Sequence, residues 1–364
     1  MPLTDYNKTG YPIYDIDLDA PSEERWAELC RAESDNIQAL MQEVLDFYQC
    51  QYDLAAFQNK YLPKPLQKIF GSGKLVENIA SWSGSLVGAI ARLYGQEYAR
   101  EIKGIARATS LPAGLLILAN MIYDLSQTAE ARGIGCSSFS FNLRGAPVLA
   151  RNMDWTVPET TGKYTRLVRF HEGKSHYESV GILGCVGVLS AMAPGKWAMT
   201  LNQAPTGKIR PAVTQWPGMH RIRAVCDTFG SYRTVVSQLQ AYQTHAPFLM
   251  HVVGTKPEEH CGISGLVSSY QKRTKGREKA LIQTNHYTEE NLAEHNPVEE
   301  EDADYYYDTY ERYDFLAEQL VKPPASLKGA MHLLNQDPVY NSRTQHSMLF
   351  CPKTGSSRVS LRLT

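Results

Sequence analysis

The sequence predicts an α+β fold in which two antiparallel sheets are stacked between helices, preceded by a mostly helical segment. Three observations carry this. From about residue 21 to residue 130 the texture is helical, with strand signals nearly absent. After Ala131-Arg132-Gly133-Ile134-Gly135 it changes abruptly to short alternating strands. Later helical patterns come in two blocks, one between strands and one before a closing pair of strands, the order that stacked layers produce. The boundary divides the chain into a small segment, 1–135, and a larger one, 136–364.

Tyr14, Ile16 and Leu18 alternate with Asp15, Asp17 and Asp19, which predicts a half-buried first strand. Pro21-Ser22-Glu23-Glu24-Arg25-Trp26 opens a helix, with acids where the helix dipole favours them. Tyr98, Ile102 and Ile105 make one later helix face, and Leu115, Leu118 and Ile122 another. Between them Ile79, Trp82, Leu86, Val87, Ile90 and Leu93 are interspersed with Ser, Gly and Ala. So little polar face fits either a central buried helix or a surface that meets lipid or an acyl chain.

In the larger segment, strands are predicted at 164–171, 175–182, 186–191, 196–201, 248–253, 262–268, 279–283, 347–351 and 358–363. Helices are predicted at 219–229, 232–242, 306–320 and 326–334, with a solvated acidic run at 298–304. No internal repeat or low-complexity linker interrupts them.

Composition narrows the function. The formal charge of the 364 residues is −1 and no basic run stands out, which argues against nucleic acid as a partner. The seven cysteines are scattered without a CxxC pair, so neither a zinc site nor a disulfide framework is indicated. No basic and apolar leader opens the chain, no apolar run is long enough for a bilayer, and the one glycosylation sequon is Asn7-Lys8-Thr9. The expectation is a cytoplasmic protein, although a lysosomal or secreted one lacking its leader reads identically.

The stretch with most chemistry is Gly135 to Trp155. Two apolar-alternating runs flank Arg144-Gly145, which predicts a β-hairpin with a tight turn. A turn centred there sets Cys136 opposite Met153, with Arg151 and Asp154 flanking. A thiol, a guanidinium and a carboxylate gathered by one hairpin make a candidate activated nucleophile.

Gly135-Cys136-Ser137-Ser138 followed by Ala150-Arg151-Asn152-Met153-Asp154-Trp155 resembles the start of the mature large subunit of acid ceramidase and N-acylethanolamine-hydrolysing acid amidase. These are relatives of choloylglycine hydrolases among the N-terminal-nucleophile (Ntn) hydrolases. Tyr14–Trp26, Gly187–Asn202, Ala246–Gly254 and Gln283-Thr284-Asn285-His286-Tyr287 extend the resemblance along most of the chain. It implies an αββα sandwich, made as a zymogen that cuts itself between Gly135 and Cys136. The two subunits then stay associated, and no metal or organic cofactor is involved.

In the implied chemistry Cys136 is the nucleophile and its freed α-amine, with an unperturbed pKa of roughly 7.7–8.0, is the local base. Gly135 permits the strained backbone that self-attack needs. Arg151 sits beside the sulfur, Asp154 orients the α-amine, and the Asn285 side-chain amide donates to the oxyanion. Asn202 supports the site and Arg312 braces it. Gln203 departs from the pattern, since the nearest relatives carry an acid there; that puts their acid-pH behaviour and polar-head preference in question for this chain. His286 is read as packing rather than as a second base.

The implied activity is hydrolysis of linear, fatty-acyl amides, N-acylethanolamines first and ceramide-like lipids next, with possible contact at a membrane surface. Two rivals stay open. One is an Ntn acyltransferase that passes the acyl group to an amine; the other is an inert lipid-binding protein.

Overall fold

A computed structural model describes residues 3–51, 95–120, 123, 134–155, 161–205, 217–241, 246–266, 269–296 and 308–363. The apolar stretch at 79–93 and the acidic run at 298–304 lie outside the described residues.

Two sheets face each other. The first is six-stranded, in the order β1 (Thr4–Asp5), β14 (Ser356–Leu361), β13 (Thr344–Cys351), β4 (Ala146–Trp155), β3 (Ile134–Leu143) and β12 (Ala280–Gln283). The second is eight-stranded. It runs β11 (Tyr270–Thr274), β10 (His260–Gly265), β9 (Phe248–Val253), β8 (Trp197–Gln203), β7 (Ser190–Ala193), β6 (Ser175–Ile182), β5 (Thr165–Glu172) and β2 (Tyr14–Asp17). One pairing departs from the antiparallel expectation: β2 runs parallel to β5. Strands β1 and β2 of the small segment therefore each form an edge of a sheet built by the large one.

Side-chain alternation sorts the strands into layers. Phe139, Phe141, Val148 and Leu349 leave the six-stranded sheet on its outer face. There they meet Leu316 of α6 (Thr309–Gln319) and Leu333 and Leu334 of α7 (Leu327–Leu334). The outer face of the eight-stranded sheet packs Val168, Phe170, Met199 and Val252 under a second helix layer. That layer holds α1 (Ala27–Gln51), α2 (Gln96–Thr109), α3 (Ala113–Asn120), α4 (Gly218–Cys226) and α5 (Tyr232–Ala241). Leu149, Leu167, Val180, Met192, Val253, Met348 and Phe350 meet between the sheets. The order is helix, sheet, sheet, helix: an αββα sandwich. Among the described residues, no helix is long and apolar enough to cross a membrane.

Two buried carboxylates of the small segment tie it to the large one. Glu33 on α1 meets Arg166 at 2.6 Å, and Glu101 on α2 meets Arg223 of α4 at 3.2 Å. Burial pushes the Glu33 carboxyl up, but bonds from Arg166 and Asn36 outweigh it and hold the group below its ordinary value.

The predicted strand at 186–191 differs from the structure. The strand is Ser190–Ala193, and Val186 to Leu189 form a loop. The reason is a competing set of backbone partners: Val186 N donates to Asn120 Oδ1 at 2.8 Å and Val188 N to the Met219 carbonyl at 3.1 Å. These bonds anchor the loop to α3 and α4 instead of a neighbouring strand. The exposed, polar edge strand β11 carries no apolar alternation and has no counterpart in the sequence expectations.

Candidate active site

The hairpin fixes the nucleophile candidate. Arg144 (φ 52°) and Gly145 (φ 76°) are both left-handed, as a two-residue type I′ turn requires. Leu143 then pairs with Ala146 and Cys136 with Met153. β3 spans Ile134–Leu143, so the expected junction at Gly135–Cys136 lies within the strand. Gly135 occupies a ladder position opposite Asp154.

Alternation along the hairpin decides which side chains meet. Cys136, Ser138 and Arg151 face the eight-stranded sheet, and Arg151 Nη2 donates to Cys136 Sγ at 3.2 Å. The same guanidinium donates to the Leu201 carbonyl at 2.8 Å and to Ser190 Oγ at 2.6 Å, so β7 and β8 aim it. Asp154 is of the opposite parity and stands apart from the thiol. Its carboxylate accepts from Thr344 Oγ1 at 2.7 Å and from Asn341 Nδ2 at 3.1 Å. Burial pushes its pKa up, against smaller downward pulls led by Arg312. The one-hairpin grouping of thiol, guanidinium and carboxylate thus separates onto two faces of a single sheet.

Residues far along the chain hold the main chain of Cys136. Its N–H donates to Asn285 Oδ1 at 2.7 Å, and its carbonyl accepts from Arg312 Nη1 at 2.7 Å. Arg312 also reaches Asn285 Oδ1 at 2.9 Å and Ser137 Oγ at 2.8 Å. It is fully buried on α6. Asn285 Nδ2, the nitrogen expected at the oxyanion, donates to the Gln203 carbonyl at 2.9 Å. Asn202 lies one step behind, donating through Nδ2 to the carbonyls of Gln283 and Thr284 at 3.0 and 3.1 Å. The structure therefore brings Cys136, Arg151, Asn285 and Arg312 into direct contact, with Asn202 and Asp154 as neighbours of that set.

His286 points elsewhere. Its Nδ1 lies 3.1 Å from Thr284 Oγ1 and 3.0 Å from Thr309 Oγ1, and its ring packs 4.5 Å from that of Tyr310. Burial, then Arg312 and Arg273, push it down to about 4. Ser190, Thr309 and Thr344 also serve the site, and the sequence reading did not single them out. Thr309 carried the most accessible signal, since it starts the helix that delivers Arg312 three residues later. Among the described residues, no group of three or more His, Cys, Asp or Glu is arranged to hold a metal ion.

Two face-to-face sheets between helix layers, with a cysteine on an inner strand gripped through both its thiol and its main chain, define an Ntn-fold protein. Residues 142–348, more than half of the chain, match the family described as acyl-coenzyme A:6-aminopenicillanic acid acyl-transferase, and the chain belongs to that family. Residues 10–72 match the beta subunit of N-acylethanolamine-hydrolyzing acid amidase.

Among curated relatives, the N-acylethanolamine-hydrolyzing acid amidase of Caenorhabditis elegans is 25% identical over 287 residues, 75% of this chain and 73% of that protein. Acid ceramidase of Balaenoptera acutorostrata scammoni is 25% identical over 277 residues. That match covers 70% of this chain and 63% of the ceramidase, so the chain spans less than two thirds of that relative. A solved structure of the C. elegans amidase ortholog superposes with a TM-score of 0.48 at 21% identity, over 60% of this chain and 93% of that one.

Proposed function

We propose that the chain is a self-cleaving N-terminal-cysteine amidase that hydrolyses linear fatty-acyl amides, with N-acylethanolamines as the first substrate class and ceramide-like lipids as the second. The observation that carries this reading is the grip on Cys136: a guanidinium on its sulfur, an amide oxygen on its nitrogen and a second guanidinium on its carbonyl. The C. elegans relative, named for N-acylethanolamine hydrolysis, and the acid ceramidases supply the substrate classes.

Activation begins with attack of Cys136 Sγ on the Gly135 carbonyl carbon. The C–N bond breaks, the acyl group moves to sulfur, and the nitrogen takes up the thiol proton to become an amine. Water then cleaves the thioester, leaving the Gly135 carboxylate and the free thiol. Asn285 Oδ1, already the acceptor for this nitrogen, is placed to hold the new α-amine in register with the thiol. Arg312 keeps the carbonyl end of the same residue fixed.

In the mature enzyme the α-amine takes the thiol proton as sulfur attacks the substrate carbonyl. Arg151 donates to the sulfur and stabilises its negative charge before attack. The tetrahedral intermediate expels its amine with the proton held by the α-ammonium. Water, deprotonated by the same amine, then releases the fatty acid. Release of Asn285 Nδ2 from Gln203 after cleavage would free that nitrogen for the oxyanion. Buried pairs Glu33–Arg166 and Glu101–Arg223 support continued association of the two fragments, 1–135 and 136–364.

The test is a screen of matched fatty amides against wild type and Cys136→Ala. The reading requires hydrolysis by wild type and none by the variant; persistent hydrolysis in Cys136→Ala would sink it. The name of the matching family favours a second reading, transfer of the acyl group to an amine. Product analysis with added amine acceptors separates the two, since transfer outcompeting hydrolysis replaces the first reading with the second.

A further inference from the structure

A line of side chains, buried except for half-exposed Asn142 at its far end, runs between the sheets away from Cys136, and the chemistry above makes no use of it. Ser138, Ser140 and Asn142 point from β3 toward the facing sheet, where His251 and His260 stand on β9 and β10. Donors and acceptors can be assigned along the whole line. Asn142 Nδ2 donates to the Pro257 carbonyl at 2.8 Å, which leaves its Oδ1 to accept from His260 Nε2 at 3.1 Å. A neutral His260 with its proton on Nε2 presents a bare Nδ1, which accepts from Ser140 Oγ at 2.7 Å. A hydroxyl has one proton to donate. Ser140 must therefore accept from His251 Nε2 at 2.8 Å, and the bare His251 Nδ1 accepts from Ser138 Oγ at 3.1 Å.

Burial keeps both rings neutral. It pushes His260 down to about 3, with a smaller contribution from Lys275. It also holds His251 well below the usual range, helped by Arg273 and His260.

The line ends on the active site. Ser138 Oγ lies 3.3 Å from the Gln283 carbonyl and 3.3 Å from Asn202 Nδ2; with its proton on the nearer His251 Nδ1, at 3.1 Å, it offers lone pairs to Asn202. An amide turned the other way would set two oxygens against each other there. Ser138 thus joins the Gln283 and Thr284 carbonyls, which accept at 3.0 and 3.1 Å, as a third acceptor holding the Asn202 nitrogen toward β12. Those residues directly precede Asn285, whose Oδ1 holds the Cys136 nitrogen.

We propose that His251 is a positioning residue: it holds Ser138 as the acceptor that seats the Asn202 amide against the Gln283 and Thr284 carbonyls, and through Asn202 it steadies the end of β12 that presents Asn285 to Cys136. The proposal rests on the reading of Cys136 as the nucleophile of an amidase. The relay works through its acceptor on the Ser138 side, so the two amide replacements of His251 are not equivalent. His251→Asn keeps an acceptor where Nδ1 stood, whereas His251→Gln keeps only a donor toward Ser140.

The experiment compares wild type, His251→Asn, His251→Gln and Ser138→Ala on a fatty amide that wild type hydrolyses. It is paired with long-range 15N–1H spectra of the histidine rings at neutral pH. Expected are neutral Nε2–H rings for His251 and His260, and kcat within about threefold of wild type for His251→Asn. His251→Gln and Ser138→Ala are expected to lose about 10- to 100-fold in kcat, with KM nearly unchanged and similar melting temperatures. Equal kcat in the two His251 variants, a wild-type kcat in Ser138→Ala, or an Nδ1–H ring at His251 each overturns the relay. A wild type that hydrolyses no amide overturns the functional reading and the positioning role with it; the ring tautomers distinguish that outcome from failure of the relay itself.

Discussion

The space between the two sheets has two ends built on different principles. At one end, where β4, β13 and β14 face β5 to β9, Leu149, Leu167, Val180, Met192, Met348, Phe350, Val359 and Leu361 close a dry core. At the other, where β3 and β12 face β8 to β10, the positions are held by Ser138, Ser140, Asn202, His251 and His260, also buried. Apolar contacts are non-directional and tolerate volume-conserving change. Buried polar groups are costly unless each finds its partner, so they fix orientation as well as distance. The dry end therefore holds the sandwich closed, and the polar end holds the end of β12 that carries Asn285 toward Cys136.

That division can be broken from either side. Arg312→Ala has the largest expected effect, because it leaves the Cys136 carbonyl and Asn285 Oδ1 without their cation in a buried site. Each buried neutral acceptor left unpaired in this way costs about 1–3 kcal/mol. Steady-state kinetics should show kcat reduced by at least about a thousandfold, with self-cleavage slowed in the same variant. Phe350→Ala at the dry end is expected to cost about 3–5 kcal/mol of stability in denaturant melts, while kcat per folded molecule stays near wild type. A large kcat loss there, at full folding, would erase the distinction between the ends.

The acid limb of stability sharpens the same contrast. His260 is held to about 3 and His286 to about 4, both well below the ordinary value near 6.5. Between those limits the unfolded chain binds protons that the folded chain refuses. Stability is thus fully present above about pH 6.5 and falls as pH drops toward 4, on the order of 1.4 kcal/mol per pH unit for each such histidine. Denaturant midpoints from pH 7 to 4 should show the decline, and His260→Asn should lessen its slope by one histidine's share. The smallest effect is expected for Ser190→Ala, which removes one of the bonds aiming Arg151 and leaves the Leu201 carbonyl in place. A few-fold fall in kcat is the expected reading.

How far the sequence reached follows the same local and non-local divide. The hairpin and its register were readable because Arg144-Gly145 marks the turn and the flanking runs alternate. Helices α5 and α7 and strands β6 and β9 were readable from periodicity for the same reason. The facing of Asp154 was not, because its partners Asn341 and Thr344 arrive from β13 and the loop before it. Nor was the orientation of the Asn285 amide, which is set by the Gln203 carbonyl and Arg312. Val186 to Leu189 look like a strand until Asn120 and Met219 take their backbone groups. In each case the deciding contact lies dozens to hundreds of residues away, where no local pattern records it.

Self-activation at one peptide bond is the claim on which the rest depends, and intact mass with N-terminal sequencing tests it directly. Purified wild type, incubated from mildly acidic to neutral pH, should convert into two fragments with Cys136 as the new N-terminus, while Cys136→Ala stays whole. A wild-type chain that remains uncut across that range, yet hydrolyses fatty amides, would contradict the account.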